Sequence, residues 1–412
     1  MSVRPLSIRS ASLLALPLLL LVGCSGVTTP PAISNAGPTF ADPSVFVAGN
    51  SGTAAMLWNV DFALTPVTIT PIALSGGTAA NGLVEVGSSL YATGTNTTAS
   101  GSSAVLWQYT LNAASASAPA PLSASTTGDG NAIVASGTTL YIGGDDGGVA
   151  QIWTVNTTND AATDTALPLG AATASTVTGI CTDGTTIYAI GNATLAGVVT
   201  PMFWSVNLAG ASPVITATPY TAGTTFHSIT VYQGTVYIAG DNPASTADLA
   251  ISTGATVTTA NIFTVAAPTA SVASFEATPV TGFSGAGAVG LQGSNLLVGG
   301  WGLQSVVGTT AYAQIGVGDL TQTPLAFNPY GIPAAVWETF GYVSGFAVSN
   351  TAIYAAGTTG TWDQVQADPS VGVATVWMNQ IGTANAAATL LTDGTVANPV
   401  DSHANAVVVP NP

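Results

Sequence analysis

Seven times along this chain an aromatic or aliphatic residue is followed three positions later by glycine, at the end of a short strand-like run. The pairs are Phe46 and Gly49, Tyr91 and Gly94, Tyr141 and Gly144, Tyr188 and Gly191, Tyr237 and Gly240, Leu297 and Gly300, and Tyr354 and Gly357. Neighbouring glycines are 45 to 60 residues apart. A period of that length means that one small structural unit recurs and buries its core only against its neighbours.

The unit is readable from residues 131 to 169. Asn131 to Ala135 is an apolar run, Ser136-Gly137-Thr138 a tight turn, and Leu140 to Gly144 a second run. After a Gly- and Asp-rich loop, Ala150 to Val155 forms a third, and Thr165 to Leu169 a fourth. Four short runs rich in Val, Ile, Thr and aromatics, separated by turn signals and lacking a helical period, predict a four-stranded sheet, the blade of a β-propeller. A tryptophan recurs in the third run as Trp58, Trp107, Trp153, Trp204 and Trp377, with Phe263 and Gly316 in the other two copies. A ring in that repeated place belongs to the core between blades, since each tryptophan buries about 150–250 Å².

The two ends supply the closure. Asn405 to Val409 matches only a first strand, and Ser44 to Gly49 begins with only a second. Joining them predicts an all-β, seven-bladed propeller of four-stranded blades in which N-terminal strands pair with a C-terminal strand. Closure also removes the open edges that a linear array would expose. Leu90-Tyr91-Ala92-Thr93-Gly94 with Val105-Leu106-Trp107, Leu140-Tyr141-Ile142-Gly143-Gly144 with Gln151-Ile152-Trp153, and Ile353-Tyr354-Ala355-Ala356-Gly357 with Thr375-Val376-Trp377 resemble the repeats of bacterial extracellular and lipoprotein propellers. Gly143-Gly144 and Gly299-Gly300 are more loosely similar to kelch repeats. This resemblance implies a fold and brings no catalytic residue with it.

Ahead of the repeats the chain changes character. Arg4, Arg9 and the apolar stretch Leu13 to Val22 read as an export signal over residues 1–23, too short for a spanning helix of about 20 apolar residues. The tetrad Leu21-Val22-Gly23-Cys24 resembles the lipobox of bacterial lipoproteins, which implies cleavage before Cys24 and lipidation of its thiol. An ordinary secretory signal with a chance cysteine is the alternative. Ser25, not aspartate, follows, which in such lipoproteins implies the outer membrane, periplasmic or surface-facing. Residues 24–41, rich in Pro, Thr and Ser, read as a flexible tether, leaving 42–412 for the propeller.

Both basic residues, Arg4 and Arg9, lie in that leader, and all 18 acidic residues lie beyond it. Nucleic acid is excluded as a partner, because its affinity is assembled from Lys and Arg contacts to phosphate, and anionic polysaccharides fail for the same reason. Past the leader only His227 and His403 can gain positive charge. Cys181, left without a disulfide partner once Cys24 is lipidated, reads as a buried inert thiol. Nucleophile elbows, zinc-ligand spacings, phosphate loops and haem-attachment patterns are absent from the sequence, which argues against an enzyme and implies no cofactor. Asp145-Asp146, read as part of a Gly-rich loop, is the one place suited to calcium.

Function is therefore sought where the repeats differ. Strand parity puts the starts of first strands, the loops after second strands and the connections between blades on one face. The channel mouth there is expected to be ringed by Asn81, Asn131, Thr178, His227, Gly287, Ser344 and Asn405. Such a ring can hold a small polar ligand or a cation, or merely cap strand ends around channel water. Three tryptophans outside the repeated position, Trp301, Trp337 and Trp362, map to the same face of two adjacent blades, with Tyr330, Glu338, Phe340, Tyr342, Asp363 and Asp368 around them. Exposed indoles beside carboxylates suit stacking on a neutral glycan or docking an envelope protein, and the other reading is a small hydrophobic core under long loops. Glu338 with Asp363 or Asp368 is the only pair suited to glycoside hydrolysis, whose carboxylates stand about 5–9.5 Å apart. Residues 241 to 260, Ala- and Thr-rich, read as a solvated insertion. The expected function is a lipid-anchored envelope binding or scaffold module of unspecified oligomeric state, with a glycoside hydrolase-like enzyme as rival.

Overall fold

The computed structural model describes residues 44–410 apart from short interruptions, the longest being 244–257, 331–338, 362–371 and 392–401. The described residues form seven antiparallel four-stranded sheets. Blade I consists of Ser402–Val408, Ser44–Ser51, Ala54–Asp61 and Thr68–Ala73. Blade II is Ala79–Val86, Ser89–Thr98, Gly101–Thr110 and Ala120–Pro121, and blade III is Gly128–Ser136, Thr139–Asp146, Val149–Asn156 and Ala161–Ala166. Blade IV is Ala172–Thr182, Thr186–Leu195, Val198–Asn207 and Val214–Pro219, and blade V is Thr225–Tyr232, Thr235–Pro243, Thr258–Ala266 and Ser274–Pro279. Blade VI is Gly285–Gln292, Asn295–Gln304, Thr310–Asp319 and Phe327–Tyr330, and blade VII is Thr339–Val348, Ala352–Thr361, Val373–Gln380 and Ala386–Leu390. The first strand of each blade touches the first strand of the next, and the series returns to its start. The protein is a seven-bladed β-propeller. Blade I mixes both ends of the chain as expected, with Phe46 opposite Val408 and Val47 opposite Val407.

One outer strand departs from the sequence expectation. In blade III the fourth strand is Ala161–Ala166, earlier than Thr165 to Leu169, with Asp164 opposite Trp153. The Asn156 side chain accepts hydrogen bonds from the Thr158 N–H at 2.9 Å and its hydroxyl at 2.7 Å, so the chain reverses at once. An outermost strand has little apolar pattern of its own to mark its place.

Each recurring tryptophan lies opposite the residue two before the repeat glycine. Trp58 faces Val47, Trp107 faces Ala92, Trp153 faces Ile142, Trp204 faces Ala189 and Trp377 faces Ala355. Phe263 and Gly316 take the same register opposite Ile238 and Val298. All five indoles are fully buried and each packs against the preceding blade, Trp107 against Phe46 and Leu57, Trp204 against Ala150 and Ile152. In blade VI, which carries Gly316, Phe283 and Phe327 join the cluster that faces blade V. Truncating one such indole removes about 3–5 kcal/mol, a large part of the usual stability of a fold. Cys181 is buried in the seam between blades IV and V, and burial pushes its thiol above the ordinary range.

The seven glycines have a steric origin. In every blade the first strand carries a β-bulge, and the extra residue is Asn81, Asn131, Thr178, His227, Gly287, Ser344 or Asn405. The bulge drives a first-strand carbonyl toward the second strand. A Cβ added at Gly49, Gly94, Gly144, Gly191, Gly240, Gly300 or Gly357 would stand 1.8–2.3 Å from that oxygen, so no other residue fits. Gly94→Ala, whose Cβ would lie 1.9 Å from the Ala79 oxygen, is expected to lose about 3 kcal/mol in chemical denaturation. Gly87→Ala, at a turn with φ of 61° and open space around it, is expected to lose only about 1 kcal/mol. Equal losses would refute the bulge as the cause.

Candidate functional site

The bulge turns its extra residue toward the next blade. Asn81 Nδ2 donates to the Gly130 carbonyl at 3.0 Å, Asn131 Nδ2 to Val177 at 2.9 Å, and Asn405 Nδ2 to Ala80 at 3.0 Å. The Thr178 hydroxyl donates to the Phe226 carbonyl at a longer 3.5 Å, and the Ser344 hydroxyl donates to Ala404. In each case the acceptor is the residue just before the next ring residue. Five seams out of seven are thus stitched by one repeated bond, worth about 1 kcal/mol apiece.

The other two seams break the pattern, and they adjoin. His227 in blade V turns to Asp241, with Nε2 donating to the carboxylate at 3.0 Å, so its side chain does not serve the Ala286 carbonyl. Gly287 in blade VI has no side chain to offer Val343, whose oxygen lies 2.6 Å from where its Cβ would be. Blades V and VI are joined here instead by Asp241 Oδ1, which accepts from the Ala286 N–H at 2.8 Å, and by Ser228, whose hydroxyl accepts from the Val289 N–H at 3.2 Å.

A second tier of contacts lapses at the same place. In three of the five regular seams the residue after the repeat glycine meets the residue two before the next ring position: Thr95 donates to Asp129 at 2.8 Å, Thr176 donates to Asp145 at 3.1 Å, and Thr358 bonds His403 at 3.0 Å. In blades V to VII these positions hold Asp241 with Gly285, and Trp301 with Tyr342. The absent side chain at Gly285 leaves room for the indole, whose Nε1 lies 2.1 Å from the place a Cβ would take.

The result is an open cavity of about 330 Å³ lined by His227, Asp241, Gly287, Trp301, Tyr342 and Ser344. It adjoins a more polar channel-mouth cavity of about 240 Å³ lined by Asn81, Asn131, Thr178, His227, Ser344 and Asn405, the side-chain ring expected from the sequence. His227 and Ser344 border both. Trp301 and Tyr342 are half-buried. Burial pushes the Tyr342 phenol above its ordinary range, against a lowering hydrogen bond with Thr358. Tyr342 also approaches His403 Nδ1 at 3.5 Å.

Two sequence-derived groups therefore meet at one cavity: the aromatics Trp301 and Tyr342, and the ring members His227 and Ser344. Trp301 lies within a strand, opposite Gly285 and Ala313. Tyr330 pairs through its backbone with Ile315 on the outer strand of blade VI, and Phe340 with Gly360 in blade VII. Trp337, Glu338, Trp362, Asp363 and Asp368 lie outside the described residues, as do Cys24 and residues 1–23, read from the sequence as an export signal. Asp241 does not belong to a solvated insertion: it lies within the strand Thr235–Pro243, opposite Ala260, with its side chain 13 % exposed. Comparing the residues that follow the seven repeat glycines singles out Trp301 and groups Asp241 with Asp145 as the two carboxylates at that position.

Asp145 and Asp146 do not form a loop. They end the strand Thr139–Asp146, opposite Asp129 and Gly128. Among the described residues no three His, Cys, Asp or Glu side chains come together as a metal would require. Burial raises the Asp145 carboxyl above its ordinary range, with smaller contributions from Asp129 and Asp146, while bonds from Thr176 and Gly148 lower it.

No family model matches the chain, and no curated protein matches it. Among solved structures, a candidate 6-phosphogluconolactonase from Bacteroides uniformis superposes with a TM-score of 0.53 at 12% identity, over 89% of this chain and 99% of that one. A lignostilbene dioxygenase from Pseudomonas brassicacearum gives 0.51 at 8% identity, over 91% and 93%, and a protein from Lactobacillus plantarum gives 0.50 at 11% identity, over 89% and 98%. At such identities the likeness is one of fold alone.

The raised Asp145 carboxyl fixes the sign of a pH effect. The folded state holds the proton more tightly than the unfolded chain, so the charged form costs stability above the carboxylate range and nothing below it. Asp145→Asn is expected to raise Tm at pH 7, with the gain vanishing below about pH 3.9. A variant less stable at pH 7 would mean that the bonds from Thr176 and Gly148 outweigh burial.

Proposed function

We propose that this propeller is a binding module of the bacterial envelope, held at a membrane through lipidated Cys24, and that it takes a glycan without negative charge on the rim formed by blades V to VII. The observation that carries this reading is the meeting of half-buried Trp301 and Tyr342 with His227, Asp241 and Ser344 around one open cavity. A flat indole offers its apolar face to a sugar ring while neighbouring polar groups take the hydroxyls. A cavity of about 330 Å³ suits one or two sugar rings better than the broad surface, about 800 Å² per partner, of a stable protein interface. The acidic chain beyond Arg9 repels phosphorylated and uronic ligands.

On an array of neutral and amino glycans, wild-type retention is expected to fall at least tenfold when Trp301→Ala and Tyr342→Ala are combined. Undiminished binding would move the site elsewhere. Capture of an envelope protein with no glycan retained would replace the ligand class. For the anchor, Cys24→Ser is expected to shift the chain from the membrane pellet to the soluble fraction of a bacterial host, and an unchanged pellet would refute lipidation at that residue.

A further inference from the structure

Of the donors around the cavity, those of His227 and Ser344 are already engaged, while two backbone acceptors are not served by the ring. The His227 N–H is given to Asp241, and the single Ser344 O–H is shared between the Ala404 carbonyl and that of Ala356 at 3.1 Å. The Ala286 and Val343 carbonyls occupy the positions that receive a ring side chain in the five regular seams, and here His227 and Gly287 give them none. Asp241 adds a carboxylate, and Trp301 and Tyr342 add electron-rich faces. Beyond Arg9 the chain contains no lysine or arginine to neutralise this. A hydroxyl offers a single O–H, whereas a primary ammonium offers three N–H donors and a positive charge. Carboxylates, carbonyls and aromatic faces together are the surroundings that favour such a cation.

We infer that the cavity between blades V, VI and VII binds an amino sugar, its ammonium set at the gap in the ring near Asp241 and its pyranose against Trp301. This rests on the glycan reading of the same cavity and specifies its charge. The regular seams suggest how to close the gap: at position 227 an asparagine can donate to Ala286 as Asn81 does to Gly130.

Titration calorimetry at pH 7 with glucosamine, N-acetylglucosamine, glucose and n-butylamine provides the test. Glucosamine is expected to bind at least tenfold more tightly than the other three, Asp241→Asn to abolish that preference, and His227→Asn to fold normally while losing glucosamine. Equal binding of glucosamine and glucose would overturn the ammonium assignment and leave the glycan reading standing. Binding of n-butylamine as tight as glucosamine would overturn the sugar half. Failure of all three sugars would overturn both readings. Should Asp241→Asn not fold, because Asp241 also holds the Ala286 N–H, retention of glucosamine by folded His227→Asn would by itself overturn the assignment.

Discussion

The β-bulge at the start of every first strand is the constraint on which the rest of the molecule depends. It forces a carbonyl into the space above the second strand, which only glycine leaves open, and it turns the extra residue toward the neighbouring blade. One local distortion thus accounts for the glycine signature and for the ring of stitches around the channel. Farther out the tryptophans repeat the logic in apolar form, five of the seven blades resting an indole on the blade before. Because each seam depends on both neighbours, the ring is complete only when Ser44–Ser51 pairs with Ser402–Val408.

The site follows from the same rule by exception. Where the repeat holds, a ring side chain of one blade serves a backbone carbonyl of the next. At blades V to VII two glycines, Gly285 and Gly287, remove side chains from both tiers, and His227 is drawn aside by Asp241. The space is taken by Trp301 and by an opening lined by His227, Asp241, Tyr342 and Ser344. Beyond Arg9 the chain has no lysine or arginine, so His227 is the one group lining that opening that can become positive.

Much of this was legible because a repeat carries its own alignment. The spacing of the glycines located every second strand, and the ring residues followed by counting back from the apolar anchors. Asn81, Asn131, Thr178, His227, Ser344 and Asn405 all line one cavity. What escaped were features without a repeated chemical signature. Asp241 sits in the last third of a strand that leads into an Ala- and Thr-rich stretch, and composition there conceals the carboxylate. Asp145 and Asp146 looked like loop residues because glycines follow them, yet the hairpin turns only at Gly147-Gly148. The outermost strand of blade III, lacking a strong apolar pattern, was placed too far along the chain.

The sequence by itself determined the number of blades, their closure and the residues that face the channel, since period and strand alternation are properties of the chain. Only the tertiary structure decided that His227 pairs with Asp241, that Trp301 fills the place left by Gly285, and that two adjacent seams lack the stitch the others share. The physical reason is that a hydrogen bond's partner across a seam depends on which side chain the neighbouring blade presents. That choice is made by packing between units some 50 residues apart, where no local pattern records it.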